Sequence, residues 1–173
     1  MKKIILIAII VSIVLLAALL IIGIFIKLRE QRLSAERIKH LPQFSFSTLN
    51  KTSFYSSDIK EGPLLIVYFH PECEHCQYEI SELFRSKIFD LGITVMLISG
   101  AVQDSVISFL NRFPDHENDK LITLIDTASI FEDIFGKAVI PSGYLYNKEL
   151  SLIDAFYGEY RIETILDRFS DSE

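Results

Sequence analysis

The chain has 173 residues, half of them apolar, with 17 basic and 23 acidic side chains, two cysteines and no tryptophan. Both lysines before residue 27 lie in the first three positions. Residues 27–173 therefore carry a formal charge of about −8, which argues against nucleic acid or an anionic bilayer surface as the main partner.

Ile4 to Ile26 is a run of 23 residues in which only Ser12 and Gly23 fall outside Ala, Val, Ile, Leu and Phe. At about 1.5 Å per residue such a helix is about 34 Å long, enough to cross a hydrocarbon core of about 30 Å. A cleaved signal peptide has a shorter apolar core and a small-residue cleavage site, and neither is present. The pattern predicts a single-pass anchor over residues 4–26, within an N-terminal segment 1–26. Basic residues lie on both flanks, so the positive-inside rule does not fix the orientation, and long domains translocate largely regardless of charge.

Residues 27–41 read as a polar juxtamembrane stalk that continues the helix, with Pro42 ending it. The rest, 42–173, is long enough for one domain with its own core. Residues 44–49 alternate at period 2, and 52–55 pair back as a hairpin, followed by a turn at 56–58. The run 63–69 is continuously apolar, as in a strand buried on both faces, and 93–99 is a second such strand. Helices are predicted over 73–88, 104–113, 128–135 and 162–169. Further strands are predicted over 121–125, 142–146 and 152–157. Strands alternating with helices imply an α/β fold with a parallel central sheet, and the terminal hairpin gives it an antiparallel edge.

The two cysteines stand in FHPECEHCQYEI, residues 69–80, where a buried strand gives way to a helix. At 100° per residue, Cys73, Cys76, Ile80, Leu83 and Phe84 share one arc of about 100°, the width of a core-facing stripe. The free N–H groups and partial positive charge of a helix N-terminus favour a thiolate at Cys73, the nucleophilic form. Cys76, one turn on, is near enough to displace a mixed disulfide. His75 in the intervening dipeptide favours the Cys73 thiolate, while Glu72 and Glu74 oppose it. Glu79 lies at the margin of the inward arc, as either a proton carrier for Cys76 or a solvated helix glutamate.

A redox dithiol fits the spacing and the strand-to-helix position. The alternatives are a copper or zinc carrier using Cys73, Cys76 and His70, or an inert staple. Structural zinc ordinarily takes two ligand pairs, and His40 and His116 form no second pair. A bridge closing so short a loop gains little chain entropy. A c-type haem needs a histidine after the second cysteine, where Gln77 stands. No cofactor and no metal is expected.

The CxxC followed by Glu79, the two strands ahead of the core and the segment VIPSGYLYNKE, residues 139–149, together resemble the thioredoxin-like superfamily. Within it, the membrane-anchored thiol-disulfide oxidoreductases of the TlpA/ResA type are the most similar. The resemblance covers residues 42–173. It implies a thioredoxin-like fold: a central mixed sheet flanked by helices, with an N-terminal β-hairpin extension, behind one transmembrane helix. It implies catalytic roles for Cys73, Cys76 and Glu79, with His75 and Glu74 tuning the thiolate. It also implies a cis Pro141 facing the dithiol and backbone groups of Ile140 for an extended substrate. The implied activity is reduction or exchange of disulfides in envelope proteins, recharged by a membrane-bound thiol electron donor. The implied location is the outer face of a bacterial cytoplasmic membrane. Glu72 stands where that family usually has Trp, and Val67 stands where thioredoxin has a buried Asp.

Overall fold

A computed structural model describes the backbone of residues 2–114, 116–137 and 139–171, and their side chains except those of residues 2, 4–14, 30 and 31. The chain divides into two units, Met1–Glu36 and Arg37–Glu173. The first is helix α1, Lys2–Arg37. Nearly half of the expected span 4–26 has side chains outside the described residues. Among the described residues, no helix is long and apolar enough to cross a membrane. The described apolar side chains from Leu15 to Leu28 are exposed.

The second unit is built on seven strands. They are β1 Ser45–Thr48, β2 Ser53–Tyr55, β3 Leu64–Phe69, β4 Thr94–Ser99, β5 Leu121–Ile125, β6 Ser142–Tyr146 and β7 Leu152–Tyr157. The helices are α2 Glu74–Arg85, α3 Gln103–Leu110, α4 Phe131–Phe135 and α5 Ile162–Ser170. The sheet order is β2-β1-β5-β4-β3-β6-β7. The pairs β3–β4 and β4–β5 are parallel, and every other pair is antiparallel. The N-terminal hairpin thus joins the edge beyond β5, and the terminal hairpin extends the edge beyond β3.

The continuous apolar runs are explained by cover on both sides. Leu65, Val67 and Phe69 of β3, with Val95 and Leu97 of β4, face a core closed by Ile80 and Leu83 of α2, Val106 and Phe109 of α3 and Ile165 of α5. Leu64, Ile66 and Tyr68, with Met96 and Ile98, face the other side, where Phe44, Phe46, Phe131 and Phe135 close a second core. Each strand therefore presents apolar residues at both parities, as buried parallel strands do. The second core is aromatic: Tyr68 stacks on Phe131 at 3.9 Å, and Phe131 on Phe135 at 4.5 Å.

Three of the boundaries that differ from the expectation have a cause visible in the hydrogen bonding. Helix α1 ends at Arg37, not at Pro42. Ile38 is only 4% exposed in the second core, and residues 39–41 pair with residues 150–152 at the start of β7. There Leu41 N–H donates to Leu150 O at 2.9 Å and Leu152 N–H to Lys39 O at 2.8 Å, capture by tertiary structure that a polar stalk sequence does not announce. Helix α2 stops at Arg85 because the Ser86 hydroxyl takes the Leu83 carbonyl at 2.7 Å. Helix α4 starts at Phe131 because buried Asp126 accepts the N–H groups of Ile130 and Phe131, both at 3.0 Å.

Candidate functional site

The parallel strand β3 delivers the chain to the cysteines at its C-terminal end. Residues 70–73 turn tightly: Cys73 N–H donates to His70 O at 3.1 Å, and the Gln77 side chain reaches back to Pro71 O at 2.7 Å. Cys73 is then the N-cap of α2, with extended φ −82° and ψ 117°, and it makes no side-chain capping bond. Its sulfur, half-buried, is therefore left at the helix N-terminus, where unpaired N–H groups and the helix dipole favour negative charge. Cys76 lies one turn on, 0% exposed, and both thiols are free.

Burial pushes the Cys76 thiol up to about 12 from its ordinary 9.0. A hydrogen bond with the His70 backbone opposes that rise, while Cys73 and Glu79 add to it. Glu79 is also buried, 6% exposed, and its Oε1 accepts the Tyr160 N–H at 2.9 Å. Burial raises its pKa above the usual carboxylate range against the pull of that N–H, and Glu159, Glu82 and Glu163 raise it further. Of the two roles open to Glu79, the solvated surface charge is excluded by this burial. Two proton-holding groups, a thiol and a carboxyl, thus sit together under one accessible sulfur.

His75 and Glu74 are both exposed. His75 Nδ1 meets the Glu159 carboxylate, an ion pair when the imidazole is protonated, so its bonded partner is on another segment and not Cys73. The Ile140–Pro141 peptide is cis. Pro141 is buried and Ile140 is partly exposed. Tyr68 pairs with Ser142 in the β3–β6 register, so Pro141 directly precedes the paired stretch of β6 at the strand end from which the cysteine segment departs. His70 Nδ1 accepts the Glu72 N–H at 3.2 Å. Among the described residues, no three His, Cys, Asp or Glu side chains are grouped so that they could hold a metal ion.

The sequence reading missed residues 159 and 160. Tyr160 supplies the amide that holds Glu79, and its ring lies so close to β6 that a Cβ at Gly143 would meet its hydroxyl at 3.0 Å and its Cζ at 3.1 Å. Burial, with Glu79 and Cys76 nearby, raises its phenol above the usual range. Only the glycine at 143 hints at this in the sequence.

No family model matches the sequence, and no curated protein matches it. Solved structures do match. MTB dsbF, determined in mixed oxidized and reduced forms, superposes with a TM-score of 0.64 at 18% identity, over 79% of this chain and 97% of that one. A secreted Mycobacterium tuberculosis disulfide oxidoreductase homologous to E. coli DsbE gives 0.63 at 16%, over 79% and 98%. The exposed lipoprotein thioredoxin of Streptococcus pneumoniae gives 0.59 at 14%, over 75% and 98%. The fold is thioredoxin-like. Within that fold, the dithiol stands at the strand-to-helix step of β3 and α2, and the cis-proline at the start of β6.

Proposed function

We propose that this chain is a thiol-disulfide oxidoreductase acting on disulfide-containing proteins of the cell envelope. The observation that carries the reading is the stack of Cys73 at a helix N-terminus, Cys76 buried behind it, and the carboxyl of Glu79 buried with Cys76. The Cys73 thiolate attacks one sulfur of a substrate disulfide, forming a mixed disulfide and releasing one substrate thiolate. Cys76 then attacks the Cys73 sulfur, forming the Cys73–Cys76 disulfide and releasing the second substrate thiolate. Two electrons pass to the substrate. A thiol raised to about 12 is protonated at neutral pH, so Cys76 needs a base at that moment. Glu79 takes that proton and returns it to a leaving thiolate. Pro141 and Ile140 border the dithiol and give an extended substrate segment its edge, and His75 and Glu74 modulate the charge around Cys73.

Among the structures sharing this fold, one is described as a disulfide oxidoreductase, one as a thiol:disulfide interchange protein and one as a thio-disulfide isomerase, which supports the same class of reaction here. An apolar run of 23 residues and the exposed apolar surface of α1 support a tether in a bacterial cytoplasmic membrane through residues 4–26, ahead of a stalk 27–41 and the domain 42–173. The domain then faces the extracytoplasmic side, where some of the structural neighbours are described as secreted or exposed. A reductant in that compartment is recharged by a membrane-bound thiol electron donor.

Trapping tests the reaction. A Cys76→Ala variant is expected to accumulate envelope proteins as mixed disulfides on Cys73, released by dithiothreitol, and Cys73→Ser to capture none. Absence of any captured protein from Cys76→Ala would refute the oxidoreductase reading. A reporter fused after Glu173 is expected to be active only outside the cytoplasm.

A further inference from the structure

Three consecutive residues between β7 and α5 each hold a different part of the site. Gly158 N–H donates to the carbonyl of cis-Pro141 at 2.9 Å. The Glu159 carboxylate meets His75, inside the CxxC. Tyr160 N–H donates to Glu79 at 2.9 Å. The strap is itself fixed: the Tyr160 ring lies over Gly143 and packs on Phe156 at 5.3 Å. Gly158 and Tyr160 make their bonds through backbone, which any residue carries. Glu159 is the member that acts through its side chain.

We propose that Glu159 is a positioning residue of the dithiol site: its carboxylate ties the dipeptide between the cysteines to the strap and sets a second negative charge beside Glu79. The inference rests on the reading of Glu79 as proton carrier. The groups that interact with Glu79 are Cys76 and Glu82 from α2, Glu159 and Tyr160 from the strap, and Glu163 from α5. Glu159 is the first of the three carboxylates that raise the Glu79 pKa. Replacing it by glutamine removes that repulsion, which favours ionised Glu79 and so lowers the pH at which it gives up its proton. The strap thereby connects substrate edge, nucleophile and proton carrier through one short segment.

The test is a carboxyl titration on the reduced, full-length chain in detergent micelles. Glutamate is labelled with 13C at Cδ, and the Glu79 resonance is assigned by its loss in E79Q. In E159Q the Glu79 midpoint is expected to fall by roughly half a pH unit or more, and in E159D to return towards the parent value. The melting temperature of E159Q is expected to match the parent, because Glu159 is exposed. A role confined to structure predicts the reverse: a lowered melting temperature with an unmoved midpoint. An E159Q midpoint superimposed on the parent's overturns the proposal. No substrate enters this measurement, so a moved midpoint with failed trapping would sink the oxidoreductase reading alone.

Discussion

The proton on Cys76 should be visible in folding stability. An unfolded chain releases it near pH 9.0, whereas the folded chain holds it to about 12. Between those values the unfolded state binds fewer protons than the folded one, so stability falls as pH rises. Below pH 9 the contribution is fully present. At pH 10 the unfolded thiol is about 90% ionised and the folded thiol about 1%, which gives a loss of about 1.4 kcal/mol. The comparison is best made without disulfide chemistry, between Cys73→Ser and Cys73→Ser/Cys76→Ala. Guanidinium unfolding of each at pH 8 and pH 10 gives two stability changes. Lysines and tyrosines titrate in both proteins and cancel in the difference. The variant retaining Cys76 is expected to lose about 1.4 kcal/mol more between the two pH values. Equal losses, within about 0.3 kcal/mol, would mean that Cys76 ionises as a free thiol does and needs no base.

Other outcomes follow from the same geometry. Glu79→Gln keeps an acceptor for Tyr160 N–H but cannot ionise. Because the folded carboxyl is raised above its unfolded value, its stabilising contribution fades as pH rises, so the variant should gain stability over the parent from pH 4 to pH 8 while its insulin-reduction rate falls at least about tenfold. Asp126→Ala strips the acceptor from two N–H groups at the start of α4 and should lower unfolding stability by about 2 to 4 kcal/mol, measured by thermal melting. Gly62→Ala drives a Cβ into the Asn147 carbonyl, a backbone atom that cannot swing aside, and should destabilise by about 1 to 3 kcal/mol in the same assay.

Much of this fold is legible because its central strands carry their environment in their composition. The runs at β3 and β4 read as two-sided burial, and two-sided burial is what the helices and the aromatic core provide. Glu79 was legible to a degree: its place at the margin of the inward arc put it next to Cys76, and only packing decides that this margin is covered. Tyr160 was not legible. Its contribution to Glu79 is a backbone amide 81 positions away, and no residue type advertises such a donor. Glu159 carried no signal in the sequence, because only the turn after β7 brings it to His75. The early end of α1 was hidden for a related reason, since the capture of residues 39–41 depends on partners more than a hundred residues on.

That capture has a practical sequel. Strand β7 is the last in the sheet, and an uncovered last strand is a template on which other chains can pair and aggregate. Residues 39–41 occupy part of that edge, with His40 bridged to Ser151. A soluble fragment begun at Pro42, where the sequence suggests a domain border, would discard this guard strip together with Ile38. A fragment begun at Arg37 keeps both, and the two should differ in their tendency to self-associate on storage.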